Sequence, residues 1–178
     1  MSVEAKLMTA DELLAMPDDG MKHELVRGEL TMVPPPGAEH GDIAVELATH
    51  LNNYVKPRKL GKVYAETGYV LATDPDTVRG PDVSFVRAEH VVKSRTYYRI
   101  APDLAVEVMS PDDRLKEVTA KVAEYLNAGT SVVIVIHPEK QVAWIYTQDD
   151  HRTLTIDDAL TAPEILPGWS LPLRDLFA

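Results

Sequence analysis

One carboxylate sits where the sequence offers no other polar side chain: Glu107, inside the run Leu104-Ala105-Val106-Glu107-Val108-Met109. So apolar a run suits a strand covered on both faces of a sheet. An acid inside it needs a metal ion, a proton or a charged partner to offset the cost of burial. Ser110-Pro111-Asp112-Asp113 follows and reads as a helix start, with serine as cap, proline in the first turn and Asp113 completing the box. Leu115, Val118, Val122, Tyr125 and Leu126 mark one apolar helical face, Asn127-Ala128-Gly129 stops it, and residues 132–136 resume a buried strand. Strand, helix and strand in that order predict an α/β fold with a central mixed β-sheet flanked by helices.

The remaining chain fits around that unit. Thr9 and Glu12 form a capping-box pattern for a short helix that stops near Pro17. Residues 23–32 resemble two short strands joined tightly around Gly28, with Glu24 on the first. Pro34-Pro35-Pro36-Gly37 makes a connector. Beyond it Ile43, Leu47, Leu51 and Val55 recur every fourth residue, predicting a core-facing helix from near Glu39 to near Pro57, with His40 close to its start. Residues 63–72, 83–86 and 142–146 read as strands, the last beginning another hairpin, and the tail reads as an irregular closure. With no internal repeat and no low-complexity linker, residues 1–178 are expected to form a single domain.

Composition removes several chemistries. There is no cysteine, so disulfides, thiol nucleophiles and cysteine-bound metals are excluded, and a reducing cytoplasm is the expected setting. The first twenty residues lack the pattern of an export signal, and no segment is apolar for long enough to span a membrane. Neither Gly28 nor Gly80 belongs to a phosphate-cradling glycine pattern, so no organic cofactor is expected. The net charge of −10 disfavours indiscriminate adhesion to nucleic acid or anionic membranes. Two basic clusters oppose that sign, Lys56, Arg58, Lys59 and Lys62, and more loosely Arg87, Lys93, Arg95 and Arg99. Each is either a solvated face or a surface for phosphates.

Asp82 follows Pro81 and precedes Glu107 by 25 residues, a spacing that permits adjacent strands. Their carboxylates, with a main-chain carbonyl near Val108, have the hard oxygen chemistry that holds Mg²⁺ or Mn²⁺. Glu24 is a further acid, to bind the metal or position water; its alternative is a surface glutamate paired with Lys22 or Arg27. Asp82 has an alternative as a turn residue, and Glu107 as half of a structural ion pair. Lys121 lies one position before core-facing Val122, from where its ammonium reaches a sheet cleft or snorkels to solvent beside Glu117 or Glu124.

The order of these pieces, from Glu24-Leu25 through Gly28-Glu29-Leu30, the prolines leading to His40, Pro81-Asp82-Val83, Pro102-Asp103-Leu104 to Ser110-Pro111, and Lys121 to Gly129, resembles the PD-(D/E)xK nuclease superfamily. It is most similar to a compact bacterial branch labelled as restriction endonucleases of a domain-of-unknown-function class. The resemblance implies a restriction-endonuclease-like core and Mg²⁺-dependent hydrolysis of phosphodiester bonds in DNA, with Mn²⁺ as substitute metal. It implies Asp82, Glu107 and Glu24 as the metal-site acids, Lys121 as the lysine, and His40 as a phosphate contact or proton-transfer aid. Read alone, His40 is equally a helix-start residue. One departure stands out: the superfamily's short pattern places lysine two residues after the second acid, and here that residue is Met109, which shifts the role to Lys121 on the next helix, with Lys116 its nearest substitute. His137, before Pro138, is given no metal role. A homodimer is a fold-level expectation for a double-strand cutter. The competing readings are a non-catalytic nucleic-acid-binding module and a protein-interaction domain retaining the fold.

Overall fold

The structure is a computed structural model and describes residues 7–178; the reading of the first twenty residues falls partly on residues 1–6, outside the described ones. Helix α1 (Ala10–Leu14) leads into strands β1 (Lys22–Val26) and β2 (Glu29–Val33) and then the long helix α2 (Ala38–Arg58). Strands β3 (Gly61–Ala65), β4 (Tyr69–Ala72), β5 (Thr77–Arg79), β6 (Val83–Arg87) and β7 (Leu104–Val108) follow, then helix α3 (Leu115–Asn127). Strands β8 (Val132–His137), β9 (Val142–Tyr146), β10 (His151–Leu154), β11 (Ala159–Thr161) and β12 (Ser170–Pro172) complete the order. Among the described residues a six-stranded sheet runs β10-β9-β8-β7-β6-β3, a four-stranded sheet runs β2-β1-β5-β4, and β11 pairs with β12.

The large sheet is mixed, as expected. β7 and β8 are parallel, from Leu104 opposite Val132 to Val108 opposite Ile136, and α3 makes the crossover between them; the other pairs in that sheet are antiparallel. Alternation along β7 divides its side chains between two cores. Leu104, Val106 and Val108 join Ile43, Leu47, Leu51 and Val55 of α2, while Ala105 and Met109 join Val118, Val122 and Tyr125 of α3. Both faces of β7 are therefore covered, and Glu107, on the α3 side, has no open route to water except at the end of the strand.

Local chemistry moved several boundaries. The Thr9–Glu12 capping box is present. Helix α2 runs through Pro57, giving up one backbone hydrogen bond in its last turn, and ends at Lys59 in the left-handed region (φ 56°). Residues 63–72 are two strands: Glu66 also takes a positive φ (52°), and the break sends β3 into the large sheet and β4 into the small one. Helix α3 starts at Leu115 instead of directly after Ser110: Asp113 Oδ2 accepts the Ser110 N–H (2.7 Å), one half of the expected box, but Ser110 Oγ faces His40 Nδ1 instead of capping, and Arg114 takes the cap position. The tail carries a two-stranded ladder, β11 with β12.

Leu47 is fully buried on α2 against the large sheet. Leu47→Ala is expected to lower unfolding free energy by about 2–5 kcal/mol, read by urea titration, since the cavity lies between rigid layers.

Candidate active site

The antiparallel register that pairs Val83 with Val106 sets Asp82, one residue before β6, across from Glu107. Asp82 Oδ2 accepts the Val108 N–H at 2.7 Å, and Oδ1 lies 3.1 Å from His40 Nε2. His40 is in the first turn of α2, delivered there by the proline connector, and its Nδ1 is 3.3 Å from Ser110 Oγ. Glu107 Oε2 accepts from Lys121 Nζ at 3.1 Å, and Oε1 from the Tyr125 hydroxyl at 2.8 Å. Lys121 and Tyr125 lie one turn apart on α3, so a single helix face serves both oxygens.

Glu24, on β1, is 1% exposed. Its Oε1 accepts the Gly80 N–H (3.0 Å), its Oε2 accepts from Arg79 Nη1 (2.8 Å), and Lys121 Nζ stands 3.8 Å away. Arg79 also donates twice to Glu124, from Nε at 2.6 Å and from Nη2 at 3.1 Å. Neither Lys22 nor Arg27 is Glu24's partner; Lys22 pairs with Glu66 (2.6 Å). Arg79 was invisible in the sequence, where it reads as part of a turn before Gly80-Pro81. The signal is weak because β5 has only three residues, Thr77–Arg79, all buried.

A cleft of about 480 Å³ opens where these elements meet, lined among others by Lys22, His40, Glu66, Asp82, Glu107 and Lys121. Four of the five residues singled out from the sequence thus meet at one opening. Glu24 stands behind it, against Lys121 and Arg79. His137 lies elsewhere, its ring edge-on to Trp144 and its buried Nδ1 without a hydrogen-bond partner.

The electrostatics shift each group in a definite direction. Burial pushes the Glu107 carboxyl above its usual range, against the pull of the Lys121 ammonium, and the charges of Asp82 and Glu24 add to the rise. For Lys121 burial favours the neutral amine, but Glu107 and Glu24 outweigh it and hold its pKa above the ordinary lysine value. Lys121 is therefore a fixed cation and unsuited to act as a base. Burial, together with the charges of Glu107 and Glu24, raises the Tyr125 hydroxyl far up, which keeps it a donor. Desolvation works against the ionised Asp82, yet the hydrogen bond and charge of His40 and the Val108 N–H lower its pKa. His40 is the reciprocal case: burial opposes its charge, and the hydrogen bond and charge of Asp82 raise its pKa.

Two carboxylates from neighbouring strands at an open cleft fit a hard divalent cation. Mg²⁺ is commonly held by one or two carboxylates with waters in its other positions. Among the described residues no three His, Asp or Glu side chains form a fuller cage. Asp82 and Glu107 line the cleft and Glu24 does not, so these two are the residues that would hold the ion.

The fold and this cleft place the chain in a known class. A crystallographically solved protein from Anabaena variabilis ATCC 29413, described as "a putative nuclease belonging to DUF820", superposes with a TM-score of 0.85 at 25% identity, covering 96% of this chain and 97% of that one. The class is the restriction-endonuclease-like α/β fold of the PD-(D/E)xK branch. The chain belongs to the Uma2 family, described as "Putative restriction endonuclease", whose sequence model matches residues 10–174. No functionally curated protein matches the sequence. Among the described residues no helix is long and apolar enough to cross a membrane.

The His40–Asp82 pair yields a pH signature. A histidine with a raised folded pKa stabilises below its unfolded pKa and loses that contribution as pH rises through the folded value; Asp82, lowered, contributes above its unfolded pKa and fails as pH falls through its folded value. The pair therefore contributes most between about pH 4 and 6.5. In metal-free urea titrations, His40→Ala is expected to cost more stability at pH 5.5 than at pH 8.5; an equal cost at both would remove the ion pair from the account.

Proposed function

We propose that this chain hydrolyses phosphodiester bonds in DNA with the help of a divalent metal ion. The observation that carries the reading is the convergence of Asp82, Glu107 and Lys121, from two strands and a helix, on one cleft, with the lysine 3.1 Å from Glu107 although Met109 occupies the usual strand position. Asp82 and Glu107 would hold Mg²⁺ or Mn²⁺. When bound there, the ion supplies polarisation of the phosphate and activation of water. Lys121, a permanent cation, positions the attacking water and offsets charge that builds on the phosphate oxygens. Glu24 acts through Lys121, fixing the ammonium from behind. His40, against Asp82 and at the cleft, contacts phosphate or passes a proton to the departing oxygen as water adds and the P–O bond breaks.

The family match over residues 10–174 supports reading the chain as one domain of this kind. Cutting both strands of a duplex takes two such sites, which a homodimer supplies. A cytoplasmic place of action fits the lack of cysteine. A second reading, a nucleic-acid-binding module without chemistry, is favoured by one observation. Asp82 and Glu107 are already engaged by His40 and Lys121, so an ion must compete with both cations.

Purified protein is expected to nick or linearise plasmid DNA in Mg²⁺ or Mn²⁺ and to be inert in chelator. Asp82→Ala should abolish cutting, and Lys121→Ala should reduce kcat by about 10²–10³-fold, both with folding verified by circular dichroism. Folded wild-type protein that never cuts single-stranded or plasmid DNA would leave the binding-module reading standing.

A further inference from the structure

Helix α2 and strand β3 border a cavity at each end. The cleft opens at the N-terminal turn of α2, beside His40, and next to Glu66, just past the end of β3. A second hollow of about 500 Å³ lies at the C-terminal end of α2 and the start of β3, lined by Lys56, Lys59, Lys62, Val63, Ala88 and Val91 among others. We propose that this hollow is a second phosphate-binding site for the nucleic acid held at the cleft, an inference that rests on the nucleic-acid reading of that cleft.

Three observations carry it. First, the local charge is reversed and uncompensated. In a chain of net charge −10, Lys56, Lys59 and Lys62 are all exposed, and among the described residues none has a carboxylate within ion-pair distance. In the second basic cluster two of the four cations are paired, Arg87 with Asp103 and Arg99 with Asp11, and Lys93 and Arg95 do not line this hollow. Arg58, nearby, is also withdrawn: its guanidinium lies 4.0 Å over the Tyr54 ring and donates to the Tyr54 carbonyl. The three lysines remain as mobile point charges, the form in which ammonium groups meet phosphate.

Second, the surface is concave and has an apolar floor. Val63, Ala88 and Val91 line it, and Gly61 lets β3 press against β6, since a Cβ there would stand 2.0 Å from the Val86 carbonyl oxygen. Its volume falls within the range of about 300–1,000 Å³ typical of small-molecule pockets, enough for a sugar-phosphate unit. The helix dipole accounts for cations at the end of α2, and protection of an edge strand accounts for Lys62 on β3. Neither calls for three lysines from helix, cap and strand around one hollow.

Third, the two cavities share one edge of the molecule. From His40 to Lys56 the helix advances about 24 Å, which corresponds to about seven base pairs at 3.4 Å each. β3, the edge strand of the large sheet, leads from the hollow at Lys62 to the cleft at Glu66. A duplex engaged at the cleft would therefore need to extend about four base pairs past it to reach Lys62 along β3 and about seven to reach Lys56 along α2. A free nucleotide would offer the same phosphate without that length requirement.

The test is fluorescence anisotropy of labelled duplexes of 6 and 24 base pairs in EDTA, across a KCl series, with wild type and a Lys56→Ala/Lys59→Ala/Lys62→Ala variant. Plasmid cutting in Mg²⁺ is measured in parallel, with adenosine monophosphate as competitor in a separate arm. The slope of log affinity against log salt should weaken by about 2.7 in the variant on the long duplex, because each lost phosphate contact removes about 0.9, and by no more than about 0.9 on the short one, which reaches no lysine beyond Lys62. Lys62→Glu, a single exposed reversal, should lower the slope by about one and guards against misfolding of the triple variant. An unchanged slope, or an equal loss on both lengths, overturns the proposal; if wild type still cuts plasmid, the nuclease reading survives alone. A slope that falls as expected in a protein that never cuts keeps the phosphate site and removes the chemistry. Adenosine monophosphate binding that is lost in the variant while the duplex slope stays unchanged assigns the hollow to free nucleotide and overturns the proposal. Wild type that binds no duplex overturns both.

Discussion

Everything at the cleft depends on how the fold accommodates the carboxylate of Glu107 inside a strand whose two faces are both covered. A buried acid of this kind is costly unless charge and hydrogen bonds offset it. Tyr125 and Lys121 satisfy its two oxygens, and the demand then passes outward, because the half-buried ammonium of Lys121 is itself held by Glu24. Glu24 is held by Arg79, and Arg79 by Glu124 on the same helix as Lys121. The small sheet, the large sheet and α3 are thus tied together by one chain of charges. With Asp82 and His40 added, four carboxylates face two permanent cations and one histidine. The two acids that reach the opening, Asp82 and Glu107, each face a cation there, His40 and Lys121, so a divalent ion would take over part of their pairing.

The lysine illustrates how a functional group can change its element without changing its place. Met109, where a strand lysine would sit, packs with Ala105, Val118 and Tyr125 in the core between β7 and α3. A charge there would enter an apolar cluster. Lys121 reaches the same carboxylate from the helix side, with Tyr125 one turn on donating to the other oxygen. The helix also brings Glu124 beside Arg79, a connection the strand position does not offer.

The βαβ unit was readable from its pattern: continuous apolar runs for β7 and β8, period-3.6 spacing for α3, and a charge inside the first run that could not go unpaired. The i, i+4 spacing of Ile43, Leu47, Leu51 and Val55 likewise located α2 to within a residue or two. Features set by a few hydrogen bonds were not readable. Ser110 Oγ, turned to His40 instead of capping, goes with a start of α3 four residues late, and the left-handed Glu66 splits one apparent strand into two in different sheets. Arg79 and the buried position of Glu24 were hidden for a related reason. Their burial follows from long-range pairing of β1 with β5, which contacts through a single residue pair, Leu25 and Val78, and leaves no periodic trace.

The central claim is that Asp82 and Glu107 together make a divalent-cation site despite their engagement with His40 and Lys121. Isothermal titration of Mn²⁺ into the full chain tests it most directly, alongside Asp82→Asn and Glu107→Gln proteins verified as folded. The account predicts one Mn²⁺ per chain for wild type and at least about tenfold weaker binding in each variant, since each removes one of two charged ligands. Wild type that binds no Mn²⁺ at millimolar concentration, or variants that bind it as wild type does, would contradict the account.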